Sequence, residues 1–155
     1  MSKHAFNLDT LAPGMRFKAG PMTLTEEAII AFAKEFDPQP FHTDPKAAAA
    51  SFFRGHAASG WQTAAVTMRM LVDSPTPFAA GSIGFEIELS WPKPVRPGDT
   101  LSVEMEILDI RPSSKPGRKV ATLKTTTTNQ IGEVVQIMTS KNILFGNGRA
   151  PDEAI

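Results

Sequence analysis

The sequence contains no cysteine. Disulfides, thiolate metal sites and cysteine nucleophiles are therefore excluded. It has no surplus of either charge, since 16 Lys and Arg offset 16 Asp and Glu. That balance gives no electrostatic reason to expect nucleic acid or an anionic membrane as a partner. It also makes self-association easy. No run approaches the ~18 apolar residues that a membrane helix needs. Met1 to Gly14 mixes polar and apolar residues and holds no signal-peptide core. These absences predict a soluble, cytoplasmic protein. Histidine is scarce: three, widely spaced, do not make a metal site. Repeats, low-complexity tracts and linkers are also lacking, so the 155 residues read as one domain, 1–155. With 41% hydrophobic and 21% charged residues the chain is an ordinary globular one and not a disordered one. Only the end, Gly146 to Ile155, reads as a frayed tail.

What is present changes character once along the chain. Met15 to Thr23 reads as a short strand between Pro13-Gly14 and Gly20-Pro21. Thr25 is a good N-cap, and Glu26 and Glu27 suit the positive end of a helix dipole. Ile29, Phe32, Ala33 and Phe36 then recur at helical spacing. Asp44 and Pro45 open a second short helix to about Ser51. A further helix runs from Ser59-Gly60 through Trp61 to about Val72. Its apolar residues cover nearly the full circumference, which predicts a buried helix with Gln62 and Arg69 pointing to an edge or a partner. From Gly81 the period becomes two. Ile83, Phe85, Ile87, Leu89 and Trp91 alternate with small or polar residues. Leu101 to Ile107 alternates again and slips phase at Leu108-Asp109-Ile110, a bulge signal. Val120 to Thr128 and Val134 to Phe145 complete four long strands around the loop Asn129 to Gly132. The order predicts an α+β domain in which one antiparallel sheet curls around one apolar helix.

The stretch Phe36-Asp37-Pro38-Gln39-Pro40-Phe41-His42-Thr43-Asp44-Pro45 stands apart. Pro38 pushes Asp37 out of the α region. Pro38 and Pro40 each fix φ and remove a backbone donor. A segment stiffened in this way holds Asp37 and His42 in a defined, non-helical relation. A carboxylate paired with an imidazole is a simple general acid/base kit, because histidine as a residue type titrates near neutral pH.

The same residues resemble a known motif. Leu24-Thr25-Glu26, Phe32-Ala33, Asp37…Pro40-Phe41-His42-Thr43-Asp44-Pro45, Phe53 and Ala57-Ala58-Ser59-Gly60-Trp61 are similar to the hydratase motif of the MaoC-like dehydratases, the (R)-specific enoyl-CoA hydratases of the hot-dog fold. Trp91 to Leu101 resembles that family's strand-turn-strand segment, and the likeness covers roughly Thr23 to Phe145. The resemblance implies hydration of trans-2-enoyl-CoA to (R)-3-hydroxyacyl-CoA, or the reverse. It implies Asp37 and His42 as the catalytic pair. Gly60, with Ser59 beside it, becomes the pair that binds the thioester oxygen. It also implies a homodimer or higher homo-oligomer with joined sheets, and no cofactor beyond the acyl-CoA thioester that is the substrate. Two positions depart from the family pattern: Gln39 replaces an asparagine, and Ser59 a histidine.

Blander readings stand beside these. Asp37 also suits a helix-terminating turn, His42 a satisfied loop histidine, and Ser59 a plain N-cap. Asp44 reads as a cap, His4 and His56 as surface or loop residues. Lys93, Arg96 and Arg54 could meet CoA phosphates or be merely solvated. A hot-dog thioesterase and a non-catalytic acyl-CoA-binding protein are the alternative functions. A thiol assay separates the first from a hydratase, and ligand-dependent stabilisation without turnover would mark the second.

Overall fold

The switch of period at Gly81 separates a half that holds one strand and the α-helices from a half that holds the other four strands. A computed structural model describes residues 7–146. His4, and the expected tail from residue 147 onward, lie outside the described residues. Strand β1 (Arg16–Thr23) is followed by α1 (Glu26–Phe36), the single turn α2 (Pro40–Thr43), α3 (Pro45–Ala49) and α4 (Gly60–Asp73). Strands β2 (Ser82–Ser90), β3 (Thr100–Pro112), β4 (Arg118–Thr128) and β5 (Val134–Phe145) follow. They form one five-stranded antiparallel sheet in the order β1-β3-β4-β5-β2. This is the hot-dog arrangement of sheet around helix that the sequence predicts.

The alternation explains why the sheet has one buried face. Leu101, Val103, Met105 and Ile107 on β3, and Ala121 and Leu123 on β4, are fully or almost fully buried. They share one core with Val66, Met70 and Leu71 of α4, Ile29 of α1 and Leu24. The phase slip at Leu108 is a register shift: Ile107 pairs with Leu123, but Asp109 pairs with Thr122. Leu108 is the extra residue and is exposed. Without the slip the core alternation would fall on the wrong face beyond it.

Two readings need correction. The proline stretch is not wholly irregular, because Pro40–Thr43 forms a helical turn that carries His42. Pro40 occupies the first-turn position, where a missing N–H costs nothing. And α4 is not buried all round. Gln62, Thr63, Val66, Thr67, Met70 and Leu71 face inward, while Trp61, Met68 and Val72 are exposed. The inward polar groups find partners that no local pattern reveals. Gln62 Nε2 donates to the Ala28 carbonyl at 3.0 Å, and Thr67 and Thr127 share a hydrogen bond of 2.8 Å. Arg69 does point outward, to Asp73 at 2.6 Å. Among the described residues no helix is long and apolar enough to cross a membrane, and no group of three or more His, Asp or Glu is placed to hold a metal ion.

Candidate active site

α1 ends at Asp37, whose N–H still bonds the Ala33 carbonyl at 2.9 Å. The chain then turns through Pro38 and re-enters a helical turn at Pro40. This bend aims Asp37 and His42 at each other: Oδ2 and Nε2 stand 3.3 Å apart. His42 is 5% exposed. Its Nδ1 lies 2.7 Å from the Ala57 carbonyl oxygen. A carbonyl only accepts, so Nδ1 carries the proton. In the neutral ring Nε2 then offers a lone pair toward a carboxylate oxygen that also only accepts. Phe41 and Phe53 pack on the imidazole at centroid distances of 4.7 and 5.9 Å.

Asp37 is held by two donors besides. Gln39 Nε2 donates to Oδ1 at 2.6 Å, and Ser59 Oγ donates to Oδ2 at 2.7 Å. Burial alone would push the Asp37 carboxyl up; the bonds from Ser59 and then Gln39, together with nearby His42, outweigh it and hold the carboxyl below its ordinary value. Both departures from the family pattern therefore act on one carboxylate. Ser59 is fully buried and is also the N-cap of α4, accepting from the Trp61 N–H at 3.3 Å. The end of α1 and the start of α4 are thus tied through a single side chain.

Gly60 opens α4, where a helix leaves its first N–H groups without intrahelical partners. Glycine is required here by proximity. A Cβ on Gly60 would stand 2.7 Å from Cε2 of Trp91 and 2.8 Å from its Cδ2. Asp37, His42, Ser59 and Gly60 all line one open cavity of about 510 Å³. Its other walls are mainly apolar, from Phe53, Ala58, Trp61, Trp91, Val95 and Val135. A titratable pair, a helix N-terminus and a greasy wall thus meet in one place.

A family model, the MaoC like domain, matches residues 9–130. The chain belongs to the MaoC-like dehydratase family. It is similar to the crystal structure of a MaoC-like dehydratase from Rhodospirillum rubrum, with 53% identity, a TM-score of 0.85, and coverage of 90% of this chain and 97% of that one. An (R)-hydratase structure from Pseudomonas aeruginosa matches at 26% identity and TM-score 0.73, over 90% of this chain and 85% of that one. An uncharacterized protein of Bacillus subtilis is 35% identical over 108 residues, 68% of this chain and 75% of its own length.

Several residues read differently in three dimensions. His56 is not a surface residue of this MaoC-like domain. It is 8% exposed, and its Nε2 lies 2.6 Å from the His42 carbonyl, so it steadies the turn that carries the dyad histidine. Arg96 is committed to the scaffold, donating to the carbonyls of Phe53 at 2.6 Å and His56 at 3.2 Å. Lys93 pairs with Glu133. Asp44 caps α3 through the Lys46 N–H at 2.9 Å, as expected. Arg54 has a φ of +52° on the loop between α3 and α4. Neither His56 nor Arg96 has a local signal in the sequence, because each acts on a backbone carbonyl far along the chain.

The two roles of Ser59 separate by pH. The bond to Asp37 stabilises the ionised carboxylate. Because the folded-state value is depressed, that contribution is present above the ordinary carboxylate value of ~3.9 and is lost as pH falls through the lower folded value. The cap to Trp61 does not titrate. Ser59→Ala is expected to cost about 2–4 kcal/mol near neutral pH, the sum of a charged hydrogen bond and a cap. As pH falls below ~3.9 the gap should shrink toward the cap share, about 1 kcal/mol. Urea unfolding of both proteins across this range reads the difference. A pH-independent gap would contradict the Asp37 bond.

Proposed function

We propose that the protein adds water across the double bond of trans-2-enoyl-CoA thioesters to give (R)-3-hydroxyacyl-CoA, or runs the reverse dehydration. One observation carries this reading. Two acceptors, Nε2 of His42 and Oδ2 of Asp37, lie 3.3 Å apart on the wall of a cavity that Gly60 also lines. A water donates two hydrogens, and a pair of acceptors at this spacing is suited to receive both. The (R)-hydratase named for Pseudomonas aeruginosa supports the same reaction class.

The chemistry then follows from each group. His42 Nε2 takes a proton from the water as its oxygen bonds to the β-carbon. Asp37 holds the water's other hydrogen; with its carboxyl kept low by Ser59 and Gln39 it is the weaker base and the orienting partner. The electron pair of the alkene moves toward the thioester, and negative charge grows on its oxygen. The Gly60 N–H and the dipole of α4 meet that charge. The enolate collapses as its α-carbon accepts a proton from the dyad, so one water is consumed and no other reactant is needed. Phe53, Val95 and Val135 add apolar wall to the same cavity.

We propose that the working unit is a homodimer. β2 is an edge strand, and Ile83, Phe85 and Ile87 along it are each about half exposed. The outward face of α4 adds Trp61, Met68 and Val72. A register shift between Gly84 and Glu86 puts Ile83 and Ile87 on opposite faces, so the free edge carries exposed apolar side chains on both, and such an edge suits antiparallel pairing with the same edge of a second copy. The zero net charge opposes this little.

Two outcomes are expected. Asp37→Asn and His42→Ala should each lower crotonyl-CoA hydration by roughly a hundredfold or more while the far-UV spectrum is kept. Turnover equal to wild type in both, or release of free thiol in place of hydration, would remove the mechanism. Separately, sedimentation should give twice the chain mass for wild type and the chain mass for Ile87→Asp, since a charge on that face cannot be buried unpaired. A wild type that sediments as a monomer would remove the edge-pairing account.

A further inference from the structure

Trp91 has no part in the steps above, yet it is held from two sides on the cavity wall. It follows β2, and its ring lies against the Cα of Gly60 so closely that a Cβ there would be 2.7 Å away. Trp61 meets the ring at a centroid distance of 5.5 Å and an interplanar angle of 76°. Its Nε1 donates to Gln136 Oε1 at 2.9 Å. Gln136 is completely buried, and its own amide donates to Thr67 Oγ1 at 3.2 Å. Thr67 in turn shares a 2.8 Å hydrogen bond with Thr127, and both are completely buried. Swinging the indole away would leave a buried amide oxygen without a donor, which folded proteins strongly avoid. The ring is therefore fixed by packing on the helix start and by a hydrogen bond into the sheet.

This placement has a consequence for an acyl chain. Trp91 lines the cavity, whereas Gln136 behind it does not. The indole, 40% exposed, is thus a fixed apolar wall of the cavity backed by a polar chain. Any chain whose thioester oxygen reaches Gly60 runs beside this ring. We propose that Trp91 is the stop that sets acyl length, so that the protein takes short enoyl groups and rejects long ones. The proposal rests on the enoyl thioester reading, and it asks Trp91 to act on chain length without acting on the chemistry.

The test compares wild type with Trp91→Ala and Trp91→Phe. Two readouts are needed: kcat/KM for hydration of crotonyl-CoA against decenoyl-CoA, and calorimetric affinity for butyryl-CoA against decanoyl-CoA. Wild type should prefer the short chain by about tenfold or more in both. Trp91→Ala should erase most of that preference, chiefly through a lower KM for decenoyl-CoA. Trp91→Phe should keep the preference, because the ring remains although the bond to Gln136 is lost. A purely structural role would instead make both variants similarly impaired on both substrates. Equal use of both lengths by wild type, or an unchanged ratio in Trp91→Ala, overturns the proposal even where hydration is found. If no form hydrates any enoyl-CoA but the affinity ratio shifts as stated, the length stop stands and the hydratase reading falls.

Discussion

The pair of hydrogen bonds that Gln39 and Ser59 donate to Asp37 is the constraint on which the site depends. A carboxylate at the end of a helix followed by proline would otherwise swing through several rotamers. Here each oxygen has its own donor, at 2.6 and 2.7 Å. Charge-assisted bonds of this length are stronger than neutral ones and fix geometry. Ser59 does more than hold the acid. It begins α4, so the same side chain sets the distance between the carboxylate and the Gly60 amide. Acid, imidazole and helix terminus come from three separated pieces of chain, and this junction joins the first and the last.

The imidazole is held by a second set of contacts. The Ala57 carbonyl fixes its protonated nitrogen, while His56 bonds the His42 carbonyl. Arg96, from the turn before β3, grips the carbonyls of Phe53 and His56. Asp99 accepts from the Arg96 N–H at 2.8 Å and from Gln130 at 2.9 Å. The turn that carries His42 is thereby referred to the rigid sheet and not only to its neighbours in sequence. Preorganisation of this kind is what lets a small acid/base group act without a costly reorganisation at the moment of reaction. The arrangement also shows how a loop region acquires a fixed geometry: its precision is borrowed from α4 and the sheet.

Much of the fold was legible because the strands are long and alternate cleanly. Val134 to Phe145 coincides with β5, and the bulge at Leu108 announced itself as two apolar residues out of phase. The approach of Asp37 to His42 was legible for a local reason, the prolines that frame the two residues. What was not legible depended on partners distant in sequence. Gln62 reads as an edge residue of α4 yet faces inward, because the Ala28 carbonyl accepts from it, and Thr67 is buried beside it because Gln136 donates to it and Thr127 shares its hydrogen bond. Trp61 and Met68 look like core yet face outward, because periodicity gives the width of an apolar stripe and not which surface covers it. Gln39 and Ser59 looked like departures from a motif, and only their common target at Asp37 gives them a joint purpose. His56 was hidden for the same reason: its partner is a backbone carbonyl 14 residues earlier.

On the proposed mechanism, a bound thioester points its oxygen at the Gly60 amide while its β-carbon faces the space between His42 and Asp37. A crystal structure of the Asp37→Asn variant with crotonyl-CoA tests this most directly. The account predicts the thioester oxygen within hydrogen-bond distance of the Gly60 N–H, with a water held between His42 Nε2 and residue 37 beside the β-carbon. A crotonyl group bound with its carbonyl turned to solvent, or seated away from the His42 imidazole, would contradict it.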